Sequence, residues 1–302
     1  MTRPANATLP PGTRLNRYRI DKRLAAGGFG VVYVGTRDDG RQVAIKEFLP
    51  QVIACRPAGK TRIDIADAYD ADRFTAGLAA FFQEADVLSR IHDDRIIAIW
   101  DVFESHGTAY FAMPLEKGHT LHALVRQDQD VPDATARRLF VEAAKGVEVL
   151  HAHRLLHLDL KPGNLWVRPD GAVVVLDLGA SRWSDQEGRS VSLARTPGFA
   201  APEQHTSLKR RAELTEQTDI YGLAASLRAT LEGTSPPAAT QRQPDEGMAC
   251  RWQGQRDPGL MAVVDRGMAV DPAHRYPTVA AFRQALQALP RLPDHLDRPD
   301  GL

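Results

Sequence analysis

Strand patterns and helix patterns are segregated along this chain, and that segregation narrows its fold more than any other feature. Runs rich in β-branched and aromatic residues occupy Tyr18 to Leu24, Gly30 to Thr36, Gln42 to Phe48, Ile96 to Phe103 and Ala109 to Pro114. A single helical pattern interrupts them, from Phe74 to Arg90, with Phe81, Phe82, Ala85 and Leu88 on one side. Beyond Leu121 the pattern is mostly helical, over 120–127, 133–153, 217–232, 258–268 and 277–289, with short strands near Leu165 and over Val173–Leu176. Strands first and helices later make an α+β chain of two unequal lobes. The expected small lobe is an antiparallel β-sheet with one main helix, and the larger lobe is mostly helical. Asp38-Asp39-Gly40 is a hairpin signal between the second and third strands. Residues 49–72, with Pro50, Pro57 and Gly59, read as an insertion or long loop, and no internal repeat is present.

Composition excludes several functions. With 302 residues, 43% of them hydrophobic, the chain is long enough to bury a sizeable core. Lysine plus arginine and aspartate plus glutamate number 38 each, so the net charge of zero argues against nucleic acid as a partner. Cys55 and Cys250 fit neither a metal spacing nor a disulfide framework, and a reducing cytoplasm is the expected location. The polar, proline-bearing start has no signal-peptide core, and no apolar run reaches bilayer length.

Chemistry is concentrated in a few segments. Gly27-Gly28-Phe29-Gly30 reads either as a plain hairpin turn or as a flap whose backbone N–H groups lie over phosphates. Sixteen residues past Gly30, Val43-Ala44-Ile45-Lys46 puts a lysine at the end of an apolar run. A lysine there needs an anionic partner. Phosphate oxygens are one, and Glu84 on the following helix is another. His157-Leu158-Asp159-Leu160-Lys161-Pro162-Gly163-Asn164 is the most specific segment. Its Asp159 can accept or orient a hydroxyl proton, Lys161 can neutralise a moving phosphoryl group, and Asn164 can ligate magnesium through its amide oxygen. After Val173-Val174-Val175-Leu176, Asp177-Leu178-Gly179 presents a carboxylate suited to a hard cation.

These segments, in this order, resemble the eukaryotic-type (Hanks-type) serine/threonine protein kinases of bacteria. The resemblance covers roughly residues 14–289 and includes Arg17-Tyr18-Arg19-Ile20 and Lys46-Glu47-Phe48-Leu49-Pro50. It implies a bilobal kinase-like fold with a catalytic domain over 13–290, a small lobe over about 13–114, a large lobe over about 117–290, and loose tails over 1–12 and 291–302. It implies ATP as phosphoryl donor, with Mg²⁺, for which Mn²⁺ can substitute, held by Asn164 and Asp177. Lys46 would hold the α- and β-phosphates and Glu84 would hold Lys46. Asp159 would be the catalytic base, and Thr196 would bridge Asp159 and Lys161. The nucleotide would also meet Leu24, Ala25, Gly27, Gly28, Phe29, Gly30, Val32, Ala44, Trp166, the gatekeeper Met113, and the hinge Pro114, Leu115 and Glu116. For Trp166 a simple core aromatic is the competing reading. Leu88, Ile99, His157 and Leu178 would form a hydrophobic column.

Thr196-Pro197-Gly198-Phe199-Ala200-Ala201-Pro202-Glu203 resembles the end of an activation segment. Glu203 would pair with Arg275, and Asp219 would hold the catalytic loop from a buried helix. This apparatus implies protein substrates carrying Ser or Thr, self-association for autophosphorylation, and signal transduction, in preference to a small-molecule kinase. Three positions depart from the family pattern: Ala25 for the first flap glycine, Leu178 for phenylalanine, and Leu158 for the arginine before the catalytic aspartate. Leucine cannot pair with a phosphorylated segment, so activity is expected to depend little on a phosphate docked there. Ser190, Ser192 and Thr196 are candidate autophosphorylation sites, with Arg182, Arg189 and Arg195 as candidate partners. The departures also motivate the alternative of a pseudokinase, a nucleotide-binding or scaffold module without turnover.

Overall fold

The computed structural model describes residues 7–28, 30–65, 67–127, 131–178, 196–205, 214–241, 252 and 256–290, and the backbone of 182–183. The chain forms two compact units, one of Met1–His92 with Ile97–Glu116, the other of Asp93–Ile96 with Lys117–Leu302. Among the described residues no helix is long and apolar enough to cross a membrane.

The first unit is built on an antiparallel sheet. Its strands are β1 (Arg14–Leu15), β2 (Tyr18–Gly27), β3 (Gly30–Arg37), β4 (Gln42–Phe48), β7 (Asp101–Ser105) and β8 (Thr108–Pro114), in the order β1-β2-β3-β4-β8-β7. Between them come β5 (Ala54–Cys55), β6 (Asp64–Ile65) and helix α1 (Ala68–Ser89). Register places Lys46 between Val32 of β3 and Phe111 of β8. Neighbouring strands approach closely at Gly35, where a Cβ would stand 2.8 Å from Ile45 and 2.9 Å from the Arg19 carbonyl. Helix α1 is capped by Asp67, whose side chain accepts from the Asp70 N–H, and it buries Phe74, Phe81, Glu84, Ala85, Val87 and Leu88.

Three expectations change in this unit. Residues 49–72 are not a loose loop: β5 and β6 pair, Ile53, Ala54 and Ile63 are buried, and α1 already begins at Ala68. The early start was hidden because Tyr69, Asp72, Arg73 and Thr75 face solvent, so the apolar pattern begins only at Phe74. The segment expected as a tail over 1–12 is anchored from residue 7 onward. Ala7 donates its N–H to the Arg56 carbonyl at 3.1 Å, and Leu9 is buried. The strand expected over Ile96 to Phe103 divides, with Ile96 bridging Val175 in the second unit and β7 starting at Asp101.

The second unit holds β9 (His119–Thr120), α2 (Leu121–Gln127), α3 (Asp133–Ala152), β10 (Leu155–Leu156), β11 (Leu165–Val167), β12 (Val173–Val175), β13 (Arg182–Trp183), α4 (Glu216–Glu232), α5 (Pro258–Gly267) and α6 (Val279–Ala288). Helix α4 is buried continuously from Thr218 to Leu231, with its polar residues Thr218, Asp219, Ser226, Arg228 and Thr230 buried among the apolar ones. A Thr215–Thr218 capping box starts it, and Gly233, at φ 69°, ends it. Helices α3, α5 and α6 pack around α4. One close approach is at Gly267, where a Cβ would lie 2.6 Å from Ala224. A Cβ at Gly222 would lie 3.0 Å from Leu160, so α4 runs directly beneath the polar loop that carries Asp159. The expected tail over 291–302 lies outside the described residues.

Candidate active site

In the first unit, β4 and α1 bring two opposite charges together. Lys46 Nζ lies 3.0 Å from Glu84 Oε1, with 17% and 4% of the side chains exposed. The rings of Phe111 and Phe81 stand 5.2 and 5.9 Å from the ammonium. An ion pair this sheltered is costly to desolvate, and its geometry must be good to persist.

The glycine turn lies on the same sheet. A Cβ at Gly27 or Gly28 would meet nothing within 4 Å, whereas one at Gly30 would stand 2.1 Å from the Glu47 carbonyl. Gly30 is therefore demanded by strand contact alone. Gln51 steadies the turn, its N–H bonding the Gly28 carbonyl and its side chain the Gly27 carbonyl, each at 3.1 Å. Nothing in the sequence pattern pointed to Gln51. Ala25 is paired with Val32 inside β2 and is not at positive φ. Its methyl therefore strains nothing in the backbone. Leu24 is 45% exposed. Ala44 and Val43 face Met113 and Pro114 across the β4–β8 pair, and Leu115 and Glu116 close the unit. Phe29 lies outside the described residues.

In the second unit, the loop between β10 and β11 gathers Asp159, Lys161 and Asn164. Lys161 Nζ is 2.6 Å from Asp159 Oδ2, and the Thr196 hydroxyl donates to Asp159 Oδ1 at 2.7 Å while accepting from Lys161 at 3.1 Å. The Asn164 amide nitrogen donates to the Asp159 carbonyl at 2.8 Å and to Oδ2 at 3.2 Å. Asp177, half-buried, sits at φ 58°, just beyond β12. His157 donates from Nε2 to the Leu176 carbonyl at 3.0 Å, and Leu176 donates its N–H to the Asn164 carbonyl at 2.9 Å. The two loops are thus laced together. Trp166 is half-buried and bonds the Lys117 carbonyl through its indole N–H at 3.0 Å.

Beneath this loop, Asp219 of α4 accepts the N–H groups of His157 and Leu158, both at 2.8 Å, and His151 Nε2 at 2.8 Å. Leu158 sits at φ 65°, an unfavourable conformation for leucine, and Gln204 holds its carbonyl at 2.8 Å. His151 and Gln204 escaped the sequence reading, because a helical histidine and a glutamine carry no spacing signal. Glu203 and Arg275 form a buried bidentate pair at 2.7 and 3.0 Å, completed by the Thr218 hydroxyl at 2.9 Å. Of the hydrophobic column residues, Leu88, His157 and Leu178 are buried within their units and Ile99 packs on the core of the first. Ser190, Ser192, Arg189, Arg195 and the side chain of Arg182 lie outside the described residues.

Two oxygen-bearing side chains here are of the type a magnesium ion takes. No cluster of three or more His, Cys, Asp or Glu that could hold a metal exists among the described residues. One carboxylate, Asp177, and one amide oxygen, Asn164, suit an ion that takes its remaining ligands from phosphate and water.

Sequence and structure comparisons agree in direction. A family described as protein kinase domain matches residues 18–253. A probable serine/threonine-protein kinase zyg-1 of Caenorhabditis briggsae is 26% identical over 269 residues, covering 87% of this chain and 33% of its own length. The serine/threonine-protein kinase PknA of Nostoc is 27% identical, covering 90% of this chain and 47% of its own. The chain therefore spans between about a third and a half of these curated relatives. The solved apo form of PpkA-294 is 29% identical, with a TM-score of 0.78 over 92% of this chain and 99% of that one.

Proposed function

The chain belongs to the protein kinase domain family, and from that premise we propose that it transfers the γ-phosphoryl group of ATP to serine or threonine hydroxyls of proteins. The carrying observation is the closed triangle of Asp159, Lys161 and Thr196. Asp159 accepts the proton of the incoming hydroxyl. Its carboxylate is fixed by three donors, Thr196 on one oxygen and Lys161 and Asn164 on the other. Lys161 also neutralises charge as it develops on the transferred group. Lys46, oriented by Glu84, holds the non-transferred phosphates, and the open glycine turn offers its N–H groups to them. Asn164 and Asp177 would hold magnesium, with manganese as a substitute. The ion supplies charge neutralisation on the phosphates when bound. Such catalysis is mainly positioning.

The peptide-side elements support a protein acceptor, including a second copy of this chain, and a role in bacterial cytoplasmic signalling fits the composition. The test is radiolabelled phosphate transfer by the wild type and Asp159→Ala, with loss of a proton-accepting group costing on the order of 10²-fold or more. Equal incorporation by both proteins would overturn the reading and favour a nucleotide-binding module without turnover.

A further inference from the structure

The face of the sheet opposite Lys46 and α1 carries a second polar cluster that the reaction does not use. Tyr33 of β3, Glu47 of β4 and Tyr110 of β8 are all 0% exposed, and so is Arg56 from the insertion. Glu47 accepts the Tyr33 hydroxyl at 2.8 Å, the Tyr110 hydroxyl at 2.5 Å, and both terminal nitrogens of Arg56. Arg56 also donates Nε to the Thr61 carbonyl at 2.8 Å and Nη1 to the Ala7 carbonyl at 3.4 Å. The Leu9 N–H bonds the Tyr33 hydroxyl at 3.1 Å. Burial works against the Arg56 charge, but bonding to Glu47 outweighs it and holds the guanidinium above its ordinary pKa. Four donors on one carboxylate join the 7–9 segment, the insertion and three strands at one point.

That point is one residue from Lys46. Glu47 is gripped on the outer face, while the next residue, Phe48, packs its ring on Phe74 and Phe81 of α1 and offers its carbonyl to the Thr108 hydroxyl. A buried ion pair contributes little stability over apolar residues of the same size. What it contributes is a single allowed position, because a carboxylate met by four donors cannot slide or rotate without losing them.

We propose that Arg56 is a positioning residue for Lys46: through Glu47, the insertion sets the seat of β4 from which Lys46 reaches Glu84 and the nucleotide. The proposal rests on the kinase reading above. It makes the insertion a working part of the nucleotide site, acting from the far side of the sheet.

The test uses the full chain and the double variant Glu47→Leu/Arg56→Met, which keeps the volume apolar and leaves no unpaired charge. Three quantities are measured: melting temperature, the dissociation constant for ATP with Mg²⁺, and KM and kcat with casein as a general acceptor. The expected result is a folded protein whose ATP dissociation constant and KM rise about tenfold, short of the 10²-fold that a 1 Å misplacement can cost. KM for casein should stay unchanged, and Arg56→Lys, which keeps the charge but not the fork, should fall between. A folded double variant with wild-type ATP affinity overturns the proposal. If the double variant does not fold, Tyr110→Phe removes one donor to Glu47, and it should weaken ATP binding with casein KM unmoved. Unchanged ATP affinity in Tyr110→Phe likewise overturns it. Because ATP affinity is read without turnover, a wild type as inactive as Asp159→Ala would sink the kinase reading while still testing Arg56.

Discussion

Asp219 is a fully buried carboxylate that nonetheless keeps its charge. Burial pushes its pKa up, but the bond and charge of His151, the His157 charge and the Leu158 N–H outweigh this and hold it below its ordinary 3.8. His151 moves the opposite way. Burial opposes its charge, while Asp219 and then Glu216 raise its pKa above 6.5. The signs follow from linkage. The His151 contribution to stability is fully present below pH 6.5 and fades as pH rises through the raised folded value. The Asp219 contribution is present above about pH 3.8 and fades as pH falls through its lowered folded value. Melting temperatures of wild type and His151→Gln, measured across pH 4–9, should therefore differ most below 6.5 and converge above the folded pKa. A gap independent of pH would show that His151 acts by packing alone. The same carboxylate bears on Leu158, whose side chain is 3% exposed and whose backbone is held at both ends, by Asp219 and Gln204. These two bonds, one to a charged carboxylate and one to a neutral amide, hold this loop from beneath, and leucine offers no charge for a phosphate to pair with. Accordingly, Ser190→Ala/Ser192→Ala should keep wild-type kcat towards an external acceptor within about threefold, far from the ten-fold that each 1.4 kcal/mol of lost transition-state stabilisation costs. Loss of activity in a folded double variant would count against this.

At the scale of elements, one buried ion pair joins three parts of the second unit. Glu203, in the turn after the Thr196 segment, and Arg275, after α5, are sealed at 3% and 0% side-chain exposure, and Arg275 also bonds the Gln217 carbonyl and lies over the Tyr221 ring. The pair ties the turn, α4 and the segment before α6 at a single point. Arg275→Met strands a buried carboxylate, at a cost of about 3–5 kcal/mol, measurable by urea unfolding. Replacing both residues by apolar ones should restore most of it. A single variant as stable as wild type would mean that Glu203 finds another partner. Helices α3, α4, α5 and α6 were readable from sequence to within two residues, because each carries recurring apolar positions, in α4 along a helix buried from Thr218 to Leu231. The start of α1 and the order in residues 49–67 were not. The first turns of α1 are solvent-facing, and the insertion is held by Arg56, whose partners lie in strands and in the 7–9 segment. Long-range polar contacts leave no period in sequence. The proposed site residues were readable for the opposite reason: Lys46, Asp159, Asn164 and Asp177 match a chemistry that fixes residue type and spacing, whereas Gln204, His151 and Gln51 serve local geometry that many residue types could meet.

For the whole molecule, Lys46 and the glycine turn belong to one unit and Asn164 and Asp177 to the other. In the proposed function ATP is a ligand of the folded protein. A ligand that binds only the native state stabilises it by about 2.7 kcal/mol at a hundred times its dissociation constant. ATP with Mg²⁺ should therefore raise the melting temperature of the wild type by several degrees. Asp177→Asn keeps the shape of the residue and removes the carboxylate charge. In that variant the magnesium-dependent part of the shift should vanish, while the unliganded melting temperature changes little, since Asp177 is only half-buried. Lys46→Met should lose the shift too, but it should also lower the unliganded stability, because Glu84 is left buried at 4% exposure without Lys46. This contrast separates the two roles. If Asp177→Asn retains a full magnesium-dependent shift, the ion is held elsewhere, and the assignment of Asp177 to the metal falls while that of Lys46 to the phosphates stands.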